Sequence, residues 1–224
     1  EAQDLANVLK YGSLPLAFDR GEVQQVSPTL GNDQLVAGLV AGGLGLLLVV
    51  LYSLMYYRAL GSVVIGSLLL AGAHVLLLCL LLGKTVGFTL TLAGIAGMIV
   101  AIGITADSFI VYFERIRDEM RDGKPLRVAV ETGWQRARRT IIVADLVSVI
   151  SSVVLYIVSV GSVRGFAFTL GLTTAVDLIV IFLFTKPLVT LLAKLNYFQS
   201  GSAWSGVSPR SVGIVSPVVD GKVA

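Results

Sequence analysis

Charge is what this sequence has least of: Asp, Glu, Lys and Arg make up 14% of its 224 residues, against about 25% in an ordinary soluble domain. With 55% hydrophobic residues and a mean hydropathy of +0.87, that shortage excludes a fold surrounded by water. Cysteine and histidine occur once each, as Cys79 and His74, so neither an intrachain disulfide nor a Cys/His metal cluster can be built. A Walker loop, an HExxH pair and a GxSxG elbow with triad partners are missing too. The chain therefore reads as no enzyme, with no cofactor and no metal. Net charge is only +3, with the basic residues gathered between apolar blocks, a pattern of membrane orientation rather than nucleic-acid binding.

What the sequence does have is long apolar runs. Between Asp33 and Arg58 lie 24 residues without a formal charge, about 36 Å of helix set against a hydrocarbon core of roughly 30 Å. This is span A. Span B covers 59–83, span C 85–113, span D 140–163 and span E 165–192. The fold expected is an all-α membrane protein, a five-helix transmembrane bundle. Its parts are spans A to C over 33–113, a hydrophilic loop over 114–139, and spans D and E over 140–195.

Orientation follows from the basic residues. The 114–139 loop holds eight Lys/Arg and Arg58 lies between A and B, whereas the facing loops hold only Lys84 and Arg164. By the positive-inside rule the 114–139 loop is cytoplasmic. Residues 1–32 are then extracytoplasmic, and the tail with Lys194, Arg210 and Lys222 is cytoplasmic. Glu1-Ala2-Gln3-Asp4 is acidic and no apolar stretch follows, unlike a secretion signal, so the chain is expected to begin inside a longer protein. Residues 5–30 suggest a short helix, a turn at Gly12 and Pro15, and an alternating Val23/Val26 stretch, the truncated edge of an extracytoplasmic domain. The tail over 196–224, rich in Ser, Gly and Pro, is expected to be disordered. Within the loop, Pro125 suits a first helical position, and Leu126, Val130, Trp134 and Ala137 share one face. That predicts an amphipathic helix lying on the surface.

Three aspartates interrupt the spans: Asp107 in C, Asp145 in D and Asp177 in E. A charged Asp at the centre of a bilayer costs at least about 2.5 kcal/mol, so each needs a reason. Asp107 precedes Glu114 by seven residues and Asp145 follows Arg139 by six, which sets both about 9–11 Å inside the same boundary. Asp177 is nine residues before Lys186, about 13 Å by the same rise. Carboxylates on three helices can thus meet at one level and pass protons. Arg138, Arg139 and Lys186 are the available charge partners, and permanent pairing with them would make the acids structural instead. His74 and Cys79 have no acidic neighbour in sequence and read as filler. Ala93, Gly97, Ala101 and Thr105 recur every four residues, as do Gly38 and Gly42, stripes that let helices pack closely.

Several strings together resemble one family. They are Leu9-Lys10-Tyr11-Gly12-Ser13-Leu14-Pro15, Tyr56-Tyr57-Arg58, and Leu90-Thr91-Leu92-Ala93-Gly94-Ile95-Ala96-Gly97. Gly103-Ile104-Thr105-Ala106-Asp107 then leads to Phe113-Glu114-Arg115-Ile116-Arg117-Asp118-Glu119, and Arg164-Gly165-Phe166-Ala167-Phe168-Thr169-Leu170 opens span E. From residue 1 to about 195 the chain is similar to SecD, the family of accessory subunits of bacterial protein export within the resistance-nodulation-division transporters. The resemblance implies half of such a transporter, in the bacterial cytoplasmic membrane. Its partners would be SecF, the SecYEG translocon, an unfolded secretory polypeptide and the lipid bilayer, with no nucleic acid. It also implies one more span and a large extracytoplasmic domain ahead of residue 1. Asp107 matches the family's proton-transport aspartate. Several positions depart from the pattern: Ala93 stands where Pro is usual, and Asp107-Ser108-Phe109 where Asp-Ala-Asn is usual. Val143-Ala144-Asp145 replaces a second Asp-Ala-Asn, moving the acid two places, Asp177 stands where a small hydroxyl residue is usual, and Lys186 where Arg is usual. The rival functions are a proton-driven lipid or drug exporter of the same superfamily and a scaffold that transports nothing.

Overall fold

In a computed structural model, residues 2–11, 28–199 and 206 are described. They are helical almost throughout, and among them no strand occurs. A short helix, α1 (Ala2–Tyr11), precedes α2 (Pro28–Tyr57), which starts five residues ahead of Asp33. The Val23/Val26 stretch lies outside the described residues.

Residues Gly31–Val86 form a nearly unbroken helical length of 56 residues, about 84 Å, far more than one crossing needs. The length is divided at Arg58, which has a φ of +53° and opens a 3₁₀ turn, Arg58–Leu60. There α3 (Gly61–Val86) doubles back. Gly61 is pressed against Ser53, where an added Cβ would stand 2.4 Å from the Ser53 carbonyl oxygen. That spacing is open only to glycine.

Neighbouring residues fix the direction of each helix. Gly38 and Gly42 of α2 meet Ile95 and Ile99 of α4 (Leu92–Arg121), and at the other end Tyr57 Oη donates to Glu114 Oε1 at 3.1 Å. Helices α2 and α4 therefore run parallel. Thr169 of α6 (Ser162–Val180) donates to the Gly94 carbonyl at 2.8 Å, so α6 runs parallel to both. Helix α5 (Leu126–Val158) runs the other way: Trp134 meets Tyr112 edge to face, 5.2 Å between ring centres, and Gly133 faces the Arg115–Ile116 backbone. Helix α3 is also antiparallel to α6, with Ala71 and Val75 packed on Val176 and Val180. Span E continues past α6 through a five-residue π-helix, Ile181–Thr185, into α7 (Lys186–Leu192).

The hydrophilic loop is shorter than expected. Helix α4 runs to Arg121 and α5 starts at Leu126, so the expected amphipathic helix is the first part of α5, continuous with span D. Its apolar residues Ala129, Val130, Trp134 and Ala137 are buried on the end of α4 rather than lying on a surface. The charges of α4 allow this because they are spent. Arg117 is 4% exposed, lies 4.5 and 4.8 Å from the Tyr56 and Tyr57 ring centres, donates to the Tyr56 carbonyl at 2.9 Å and pairs with Glu114. A second departure is α8 (Asn196–Gln199), in the stretch expected to be disordered. Its Phe198 is buried in the core, and of the rest of the tail only Gly206 is described.

Glu119, beyond span C, is wholly buried. Lys124 and Thr132 hydrogen-bond its carboxylate, and Arg136 Nη1 stands 2.7 Å from it. The hydrogen bond from Lys124, followed by that from Thr132, holds this carboxyl below its usual range despite burial. A depressed folded value stabilises the fold above the unfolded value of about 4.3, and the gain is lost as pH falls through the folded value. Glu119→Gln is therefore expected to lower the unfolding temperature at pH 7, with the gap to wild type closing on acidification. Thermal unfolding in detergent across pH 3–7 checks this: a gap that stays constant is the contrary result.

Candidate functional site

The register of the bundle brings the three aspartates together. Because α4 and α6 run parallel with Gly94 level with Thr169, Asp177 arrives beside Thr105 and Ser108, two residues before and one after Asp107. Because α5 runs antiparallel with Gly133 level with Ile116, Asp145 arrives within about one turn of the level of Asp107. Asp145 lies within Coulombic reach of Asp107 on one side and of Asp177 on the other. The acids form a row across α4, α5 and α6.

Their surroundings differ. Asp145 and Asp177 are each 1% exposed; neither has a cation partner among the described residues, and the Thr105 and Ser108 hydroxyls stand beside Asp177 as loosely placed donors. Asp107 sits at the open end of the row, on an exposed face of α4. Leu92, Ala96, Val100 and Gly103 continue that face along the helix. The acid singled out by sequence resemblance is thus the accessible one, and the two that depart from the pattern are the buried ones. A carboxylate buried without a cation is destabilising if ionised, and loosely placed hydroxyls offset little of that cost, so ion pairing does not explain the row.

The expected charge partners are not in place. Lys186 pairs with Glu131 of α5 at 3.2 Å, not with Asp177. Arg138 and Arg139 are exposed, and among the described residues neither pairs with Asp145. No group of three His, Cys, Asp or Glu side chains able to hold a metal occurs among the described residues. His74 is exposed and its Nδ1 is 2.8 Å from the Leu70 carbonyl oxygen of its own helix; Cys79 is half-buried. Neither joins the row.

Small residues and hydroxyls, rather than cations, line the approach. A Cβ on Gly97 would meet Thr169 Oγ1 at 2.4 Å and the Phe166 carbonyl oxygen at 2.9 Å, so α4 and α6 touch backbone to backbone here. Thr173 and Thr174 donate back to carbonyls of their own helix. A cavity of about 400 Å³, lined by Leu68, Ala71, Met98, Ala101, Thr105 and Thr173, opens between α3, α4 and α6. It reaches Thr105, which stands next to Asp177.

The π-helix lies immediately beyond Asp177 and was not foreseen in the sequence. A π segment carries one residue more than an α turn can hold, and such segments occur often at functional sites. Thr185, wholly buried, hydrogen-bonds Ser67 of α3 through the two hydroxyls at 2.8 Å and donates to the Val180 carbonyl five residues back at 3.4 Å. Pro187 follows, with no N–H to restore the α pattern. The half of span E below Asp177 is thus anchored to α3 by Thr185 and to α5 by Lys186.

Comparison with known proteins adds a family. The model described as protein export membrane protein SecD/SecF, C-terminal, matches residues 11–195. "Protein translocase subunit SecD" of Streptomyces coelicolor is 57% identical over 218 residues, 97% of this chain and 38% of that protein. Its namesake in Mycobacterium tuberculosis H37Rv is 56% identical over 193 residues, 86% of this chain and 34% of the other. Among solved structures, the crystal structure of SecDF from Thermus thermophilus, a translocon-associated membrane protein, superposes with a TM-score of 0.73 at 32% identity, covering 89% of this chain and 29% of that one. SecDF in its super-membrane-facing form gives 0.66 at 34% identity, over 85% and 26% of the two chains. The chain spans little more than a third of the length of these curated relatives.

Proposed function

The chain belongs to the SecD/SecF family of protein-export membrane proteins, and from this we propose that it is the membrane-embedded part of a proton-driven accessory subunit of the Sec translocase. Its partners are SecF and the SecYEG translocon, and its cargo is an unfolded secretory polypeptide. It sits as a multi-pass protein in the bacterial cytoplasmic membrane, with the 114–139 end in the cytoplasm. Its role is energy coupling, not the making or breaking of covalent bonds in a substrate.

The observation that carries this reading is the row of carboxylates, accessible at Asp107 and buried at Asp145 and Asp177. Protons enter at Asp107 and exchange with Asp145 and Asp177, with Thr105 and Ser108 beside the last acid. Work is extracted only if the protonated and ionised rows favour different helix packings, since a proton equally welcome in both shifts nothing. The π-helix next to Asp177 supplies such a pair of packings: passing its extra residue along span E turns Asp177 against an α7 that Lys186 and Thr185 hold in place.

The test is infrared difference spectroscopy of the full-length protein in lipid. A carboxyl stretch that titrates between mildly acidic and alkaline pH is expected, and Asp107→Asn is expected to remove or shift part of it. An identical spectrum in the variant refutes a titrating role for Asp107.

A further inference from the structure

An exposed apolar face of α5 ends on Arg139, with Arg138 beside it about 100° round the helix, and neither is paired among the described residues. Around the basic end, Arg115 and Arg121 pair with Asp118, Arg117 with Glu114, Lys124 and Arg136 with Glu119. Lys186 pairs with Glu131. Arg138 and Arg139 are exposed and enter none of these pairs.

Arg139 stands in line with Val143, Leu146, Ile150, Val153 and Ile157, each within about 40° of Arg139 around the helix. Those five aliphatic side chains are between 47% and 71% exposed. From Arg139 to Ile157 the line rises about 27 Å, close to the roughly 30 Å of a hydrocarbon core. An arginine at the end of such a line stands at headgroup depth, directly above the acyl chains that the line faces.

The character of the line decides against a protein helix as its occupant. Close helix contacts in this bundle use Gly and Thr, as at Gly94, Gly97 and Thr169, and small residues are what such contacts require in a membrane. The small exposed or half-buried residues of α5, Ala144, Ser148 and Ser151, lie more than about 100° round the helix from Arg139. The line itself holds bulky aliphatics only.

We propose that Arg138, Arg139 and the aliphatic line of α5 form a binding surface for an anionic phospholipid, its phosphate held by the two guanidinium groups and its chains laid along Val143, Leu146 and Ile150. Guanidinium forks match phosphate oxygens two at a time, which a zwitterionic headgroup with its own cation satisfies less well. Basic side chains on the cytoplasmic side of a span are placed to meet such lipids.

The full-length protein and an R138Q/R139Q variant would be purified into detergent, exchanged with equal amounts of phosphatidylglycerol and phosphatidylcholine, and the retained lipid counted by native mass spectrometry. Wild type is expected to retain phosphatidylglycerol over phosphatidylcholine by about thirtyfold, from two arginine–phosphate contacts. The variant is expected to lose that preference while folding normally, because neither side chain has an ion-pair partner among the described residues. Equal preference in variant and wild type overturns the proposal, as does a wild type that retains both lipids alike. Reduced SecF co-purification at unchanged lipid retention also overturns it, in favour of a protein contact.

Discussion

In an Asp177→Asn variant, proton-driven export is expected to fall to the level seen without a proton gradient, while the purified protein unfolds at the same temperature as wild type or higher. The two halves of this expectation rest on one observation. Both oxygens of Asp177 are buried with no cation beside them and with loosely placed Thr105 and Ser108 hydroxyls for donors, and Lys186 is committed to Glu131; asparagine keeps an oxygen for those hydroxyls and so loses no structural contact. Asparagine is nearly the same size and cannot ionise, and relieving a buried unpaired charge stabilises a fold by up to about 2 kcal/mol. If Asp177 were a strut instead, its replacement would leave a partner unsatisfied and cost roughly 1–3 kcal/mol. Export assays in inverted vesicles, paired with thermal unfolding, separate these outcomes: wild-type export removes Asp177 from the route, and a large drop in stability makes it structural.

The parts of this molecule legible in its sequence are those governed by a single helix and its solvent. Apolar runs between Asp33 and Arg58, or between 59 and 83, say where a helix can lie in hydrocarbon, and the helices lie there. The depth of Asp107, Asp145 and Asp177 could be read because rise per residue is fixed, and depth was enough to bring them to one level. Illegible features depend on a second helix. Arg117 and Glu119 look like the start of a solvated loop, yet both are buried, because Tyr56 and Tyr57 of α2 and Thr132 and Arg136 of α5 come from elsewhere to satisfy them. Lys186 was a candidate partner for Asp177 because the two share a span. About 13 Å of helix separates them, and Glu131 on α5 is alongside. The acid displaced to Asp145 is buried in the row only because of how α5 packs. The π-helix has no composition signature beyond Pro187, since its extra residue is stabilised by the Ser67–Thr185 contact across 118 positions of sequence.

The contact between α4 and α6 sets the spacing of the row, and Gly97→Leu is expected to break it. The first atom of any side chain at this position would stand 2.4 Å from Thr169 Oγ1, 2.9 Å from the Phe166 carbonyl oxygen and 3.4 Å from the Leu170 nitrogen. Two of those three atoms are backbone, which cannot swing aside as a flexible side chain would. The helices must separate, and with them goes the hydrogen bond from Thr169 to Gly94. Overpacking of this kind costs typically 1–3 kcal/mol, and a displaced backbone puts the expected loss near the upper end, about 3 kcal/mol. Asp107 lies on α4 and Asp177 on α6, ten and eight residues below this contact, so parting the helices there widens the row as well. Gly43 on α2 is the control, because nothing lies within 4 Å of a Cβ at that position; Gly43→Leu is expected to fold and export as wild type does. Unfolding temperature and export for the two variants, measured side by side, decide the matter: equal behaviour would mean that α4 and α6 do not need to touch, and that the alignment of Asp107 with Asp177 is set elsewhere in the bundle.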